Sequence, residues 1–173
     1  MFTTLSNLAV AVFYLAYLIA EMRNAASTGS SVKFRYCKFL ITMSIMLTGL
    51  VAHFMLRGMF DGMDAIAKAG LTLLHYVVPT GTFLDWLIFD IKGKTTWKMP
   101  LFAALFPIIY VAVSMIVAQF ITGDGKYPYP FLNVDTLGVG AVVLNIVLLA
   151  VAFLAVGYLG VAVDHEMKKL TGR

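Results

Sequence analysis

Between Pro100 and Thr122 the sequence reads PLFAALFPIIYVAVSMIVAQFIT, 23 residues without a charged side chain. At 1.5 Å per residue a helix of that length reaches about 35 Å, enough to cross roughly 30 Å of hydrocarbon. Four further apolar runs flank it, from Thr4 to Met22, Phe39 to Leu56, Ala69 to Phe89 and Leu137 to Val163. None shows the apolar–polar alternation of a barrel strand, and an unpaired strand would leave its peptide groups unsatisfied in lipid. The sequence therefore predicts an all-α chain, a polytopic transmembrane bundle of five spans.

Composition agrees. Of the 173 residues, 61% are hydrophobic and 13% charged, whereas a soluble domain carries about a quarter charged residues. The net charge of +4 is no sign of a nucleic-acid partner, because the basic residues fall in the connections between spans. Arg23, Lys33, Arg35, Lys38, Lys92, Lys94, Lys98, Lys168, Lys169 and Arg173, ten of the 13 basic residues, lie in the first, third and fifth connecting segments. The second and fourth hold Arg57, Lys68 and Lys126 beside Asp61, Asp64, Asp124 and Asp135. The positive-inside rule then places the C-terminus in the cytoplasm of a multi-pass cell-membrane protein. Met1 opens almost directly into the first span, so an additional upstream helix is expected, which would give six spans with both ends cytoplasmic. The short connections leave residues 1–173 as one transmembrane domain. Cys37 is the sole cysteine and can build neither a disulfide framework nor a cysteine metal site.

Ionisable side chains inside a membrane are costly and should face the bundle interior, which singles out His53, His75 and Asp85. His75 and Asp85 are ten residues apart, about 15 Å along a helix, too far for a direct dyad. Helical spacing gathers Thr72, His75, Pro79 and Thr82 on one side of the third span, and Thr4, Asn7 and Tyr14 on one side of the first. With Thr3 and His53 these form an outer-half polar pocket, whose floor Tyr110 and Asn145 are deep enough to reach. One chemistry for such a set is attack of a threonine hydroxyl on an ester, with His75 or His53 taking its proton and Asn145, Tyr110 or Tyr129 holding the oxyanion. The structural alternative makes Thr4 a helix N-cap and the histidines interhelical hydrogen-bonding groups. Asp85 reads either as a transport carboxylate or as an acceptor for a neighbouring helix. No metal and no cofactor is expected, since no carboxylate lies at the depth of the histidines. Trp97 and Tyr127-Pro128-Tyr129-Pro130 read as an aromatic belt at the bilayer edges. Gly138, Gly140, Gly157 and Gly160 read as close-packing positions.

Four stretches carry a resemblance. Phe2-Thr3-Thr4-Leu5-Ser6-Asn7-Leu8, Leu47-Thr48-Gly49-Leu50-Val51-Ala52-His53, Leu74-His75-Tyr76-Val77-Val78-Pro79 with Asp85-Trp86, and Tyr127-Pro128-Tyr129-Pro130-Phe131-Leu132 resemble a family of bacterial six-span membrane proteins over essentially the whole chain. That family is in turn distantly similar to the eukaryotic androgen-induced gene family, intramembrane hydrolases of fatty acid esters of hydroxy fatty acids. The resemblance implies a threonine nucleophile and a histidine, which fall on Thr4 and His75, with the neighbouring Thr3 as the alternative register. It also implies membrane lipid as the partner and a lipid ester as the substrate. A non-catalytic lipid-binding or structural protein and a small-solute transporter are the competing readings.

Overall fold

The computed structural model describes residues 1–23, 32–56, 58, 62–123 and 125–171. Arg57, Asp61, Asp124 and Arg173, which entered the charge tally, lie outside the described residues. Among those described there are only helices and connections, with no strand.

Helix α1 spans Phe2–Met22, and α2 runs from Val32 to Val51 and continues as a π-helical segment, Ala52–Leu56. The third span is built from α3 (Ala65–Thr72), a second π-helical segment (Leu73–Val77) and α4 (Val78–Phe89). Helix α5 covers Met99–Val117, a short 3₁₀ turn covers Pro130–Leu132, and α6 runs from Val134 to Thr171. Five helices are thus long and apolar enough to cross a membrane, and the chain is a multi-pass helical membrane protein.

Helix α2 is the hub, packing against α1, α4, α5 and α6. Half of its span is buried, against at most 22% for any other. Its buried face mixes Phe39, Met43, Ile45 and Leu47 with Thr42, Ser44 and Thr48. Small and hydroxylated residues suit this position, because they let helix backbones approach and satisfy their own donors on the backbone of the turn before. The Ser44 and Thr48 hydroxyls do so, donating to the carbonyls of Leu40 and Ser44. The outer helices turn Leu8, Leu15, Ile109, Ile116, Leu144 and Leu148 outward, each at least half exposed. Such a surface is stable only in lipid.

Two features depart from the expected spans. Helix α6 is 38 residues long, about 57 Å, and so outruns the hydrocarbon at the basic end. There Asp164 accepts from the backbone N–H and the hydroxyl of Thr95 at 3.0 and 2.7 Å. His165 Nε2 donates to the Thr95 carbonyl at 2.9 Å, so the connection of residues 90–98 is strapped onto α6. Near the start of α6, Gly138 adopts φ 77°, a left-handed conformation that kinks the helix and that an L side chain would resist. No atom lies within 4 Å of the Cβ position of Gly138 or of Gly140, so neither is the close-packing position expected. Gly157 is one, since a Cβ there would sit 2.9 Å from Pro100.

Candidate functional site

Position 75 is followed four residues later by Pro79. Proline has no N–H, so the His75 carbonyl loses its normal i+4 donor, and the ring crowds that carbonyl. The helix responds by widening into the π-helical segment Leu73–Val77, which holds His75. Gly49 of α2 makes room for the displaced backbone: a Cβ there would lie 2.9 Å from the His75 oxygen and 3.3 Å from Pro79. One-turn π insertions of this kind are frequent at functional sites, where they redirect a side chain that an α-helix would aim elsewhere.

Here the redirected side chain is the His75 imidazole, 5% exposed. Its Nδ1 lies 2.9 Å from the Leu71 carbonyl. A carbonyl only accepts, so Nδ1 carries a proton, and in a neutral imidazole Nε2 is then the acceptor. Nε2 lies 3.2 Å from Thr3 Oγ1, within hydrogen-bond reach of that hydroxyl. Tyr129, arriving from the outer connection, places its hydroxyl 3.3 Å from Thr3 Oγ1 and 3.3 Å from the Thr3 backbone nitrogen. The Thr3 N–H lies in the first turn of α1, where it has no intrahelical acceptor, and it donates to the phenol oxygen. The phenol proton is then free to point at Oγ1.

A second set of contacts fixes α1 in this register. The Ser6 hydroxyl lies 2.7 Å from the Thr48 hydroxyl, tying α1 to the hub, and 3.1 Å from the Thr3 carbonyl, its single proton serving one of the two. Asn7 Nδ2 donates to the Thr3 carbonyl at 2.8 Å and to the Leu74 carbonyl of the π turn at 3.2 Å. Its Oδ1 is buried without a partner. Phe2 closes the assembly, packing on Phe106 and Tyr110 of α5 with both ring centroids 5.3 Å away.

Beside Thr3 and Tyr129 opens a cavity of about 280 Å³ lined by apolar side chains of α2, α5 and α6, with Thr48 and Tyr110 among the few polar groups. Two of its α5 wall residues, Ile108 and Ala112, are exposed.

Several expected site residues stand elsewhere. Thr4 is exposed and follows Thr3 within the first turn, so it is neither beside His75 nor an N-cap, a position that Met1 occupies. The inward face of α1 carries Phe2, Thr3, Ser6, Val10 and Phe13; of the expected Thr4, Asn7 and Tyr14, the last two still reach the third span, through the Leu74 carbonyl and Asp85. His53 does not face the interior: the π-helical segment of α2 turns Ala52 and Leu56 inward and leaves His53 exposed against Phe54. Thr72 is likewise exposed, whereas His75, Pro79 and Thr82 share the buried side as expected. Asn145 donates its amide to the Phe131 carbonyl at 3.0 Å and serves to hold the outer connection. Tyr129, read both as a belt residue and as a donor, is 7% exposed and turns into the site.

Asp85 belongs to a different layer toward the basic end. It accepts from the Tyr14 hydroxyl at 2.6 Å and pairs with the Lys38 ammonium at 2.6 Å, and Lys38 also pairs with Asp90. The neighbouring Lys92 donates to the Trp86 carbonyl at 2.7 Å and lies 4.5 Å above the Trp86 ring. Burial holds its pKa below the ordinary lysine value, with Asp164 opposing. Burial likewise pushes the Asp90 carboxyl up, with Lys38 opposing. Sequence reasoning missed Lys38 and Asp90 as partners. The available signal was the position of Lys38 directly against the apolar run that begins at Phe39.

Fold and site together define a class: a multi-pass helical membrane protein with a buried hydroxyl–imidazole–phenol cluster beside an apolar cavity. Comparison with known proteins finds no matching family model, no matching curated protein and no matching solved structure.

Proposed function

We propose that the protein is an intramembrane hydrolase of acyl esters, with Thr3 as nucleophile and His75 as general base and acid. The observation that carries this reading is the 3.2 Å approach of Thr3 Oγ1 to His75 Nε2, beside an apolar cavity suited to a fatty acyl chain.

In the first half-reaction Nε2 removes the hydroxyl proton as Oγ1 bonds to the ester carbon, giving a tetrahedral oxyanion. The Tyr129 hydroxyl and the first-turn N–H groups of α1 are the donors at hand to hold that charge in a site with little water. Collapse breaks the bond to the alcohol oxygen, which takes its proton from His75 and leaves an acyl-threonine. Water then attacks the acyl carbon, its proton passes to Nε2 and on to Oγ1, and the fatty acid departs. The Leu71 carbonyl holds the imidazole in the tautomer this cycle needs.

The resemblance to the androgen-induced gene family points the same way and names fatty acid esters of hydroxy fatty acids as the first substrates to test. In this reading the register is Thr3 rather than Thr4. Transport is disfavoured by the engagement of Asp85 with Tyr14 and Lys38.

Hydrolysis of nitrophenyl acyl esters by purified protein in detergent tests the proposal. The intact protein and Thr4→Ala should turn over alike. Thr3→Ala and His75→Gln should each fall by at least about 100-fold, the usual size of a general-base contribution. Equal rates in all four proteins would remove the hydrolase reading and leave a lipid-binding role.

A further inference from the structure

Tyr129 also borders a second space, a polar groove of about 610 Å³. Lys126, Tyr127, Tyr129, Asn133 and Asp135 line it, and Tyr129 is a wall of both spaces. The groove holds a cation and an anion side by side: Lys126 Nζ is 2.7 Å from Asp135 Oδ2. Tyr127 donates to the other Asp135 oxygen at 3.2 Å, and its ring lies 5.1 Å from the Lys126 ammonium. Tyr129 stacks on Phe131 at 5.0 Å with 7° between planes.

This arrangement is selective. An anionic headgroup attracted by Lys126 meets the Asp135 carboxylate, and an uncharged one matches neither. A dipolar headgroup satisfies both, its phosphate against Lys126 and its ammonium against Asp135 and the faces of the tyrosines. The Lys126–Asp135 pair is exposed, and exposed pairs are weak, so exchanging it for two pairs with a ligand costs little. The apolar cavity behind Tyr129 is near the lower end of the roughly 300–1,000 Å³ of small-molecule pockets, a size suited to one chain rather than two.

We infer that the two spaces form one binding site for a single-chain zwitterionic phospholipid, its headgroup in the Lys126–Asp135 groove and its acyl chain in the cavity, passing Tyr129 beside Thr3. The assignment rests on the hydrolase reading only for the cavity they share, and an ether-linked ligand separates the two, since it has no ester to cleave.

The test is equilibrium binding of three ether-linked probes of equal chain length, a lysophosphatidylcholine, a lysophosphatidylglycerol and an alkylglycerol, to the full chain in detergent. The intact protein should prefer the choline probe over each of the others by about fivefold, the scale of one exposed ion pair. Asp135→Asn should move the preference to the phosphatidylglycerol analogue, and Lys126→Gln should abolish the advantage of either phosphate. Ala150→Phe, which fills the cavity, should weaken all three. Equal binding of the three probes by the intact protein would overturn the proposal, as would an unchanged order of preference in both groove variants. Because the headgroup comparison needs only the intact protein, a poorly folding Ala150→Phe would not blunt the test. Selective binding without ester hydrolysis would keep this site and discard only the hydrolase.

Discussion

Thr3 and Thr4 are chemically identical and adjacent, yet only Thr3 reaches His75 Nε2, at 3.2 Å, while Thr4 is exposed. Successive helix positions are separated by about 100° of rotation, so a helix that turned by one residue would exchange their roles. The rotation is set by partners distant in sequence: Phe2 against Phe106 and Tyr110, Ser6 against Thr48, and Asn7 against Leu74. Asn7→Ala should therefore loosen Thr3 while leaving the chemical groups in place. We expect the nitrophenyl ester rate to drop by about tenfold with retained thermal stability. His75 was readable in the sequence because an imidazole within an apolar run must find polar partners. The choice between Thr3 and Thr4 was not, because no local pattern encodes those tertiary contacts.

At the scale of the element, the sequence outlines all five helices but not how two of them deform. His75-x-x-x-Pro79 carries a local reason for the π-helical segment, the missing proline N–H, and the space that accepts it depends on Gly49 in another helix. Gly49→Ala should force the His75 carbonyl and α2 apart, costing about 1–3 kcal/mol of stability. Ester hydrolysis should fall with it, and both are checked by thermal unfolding in detergent beside the activity assay. An unchanged melting temperature would show that the close approach at Gly49 is not tight. The segment Ala52–Leu56 has no proline to announce it, which is why His53 was expected to face inward. The length of α6 was hidden for a related reason. Asp164, His165 and Lys168 look like the start of a connection, but the charges extend a helix that continues past the hydrocarbon and binds the connection of residues 90–98.

Over the whole molecule, two layers of polar side chains tie the helices together. One holds Thr3, His75 and Tyr129 beside the apolar cavity, and the other holds Tyr14, Lys38, Asp85 and Asp90 near the basic end. The second layer ties α1, α2 and the end of α4 together. Lys38→Met would leave Asp90 without its ammonium and Asp85 with the Tyr14 hydroxyl, and breaking a buried pair in this way costs up to about 3–5 kcal/mol. The variant should melt well below the intact protein while the remaining folded fraction hydrolyses ester at the normal rate. A matching loss of specific activity would mean that the two layers are coupled. By the positive-inside rule the charge asymmetry would put the threonine layer toward the outer leaflet.

The most direct test of the account is to treat the purified protein with a fluorophosphonate and map the adduct by peptide mass spectrometry, beside the His75→Gln variant. The account predicts a covalent adduct on Thr3, none on Thr4, and loss of labelling when His75 is replaced. An adduct on Thr4, or labelling of Thr3 that survives without His75, would contradict the site described here.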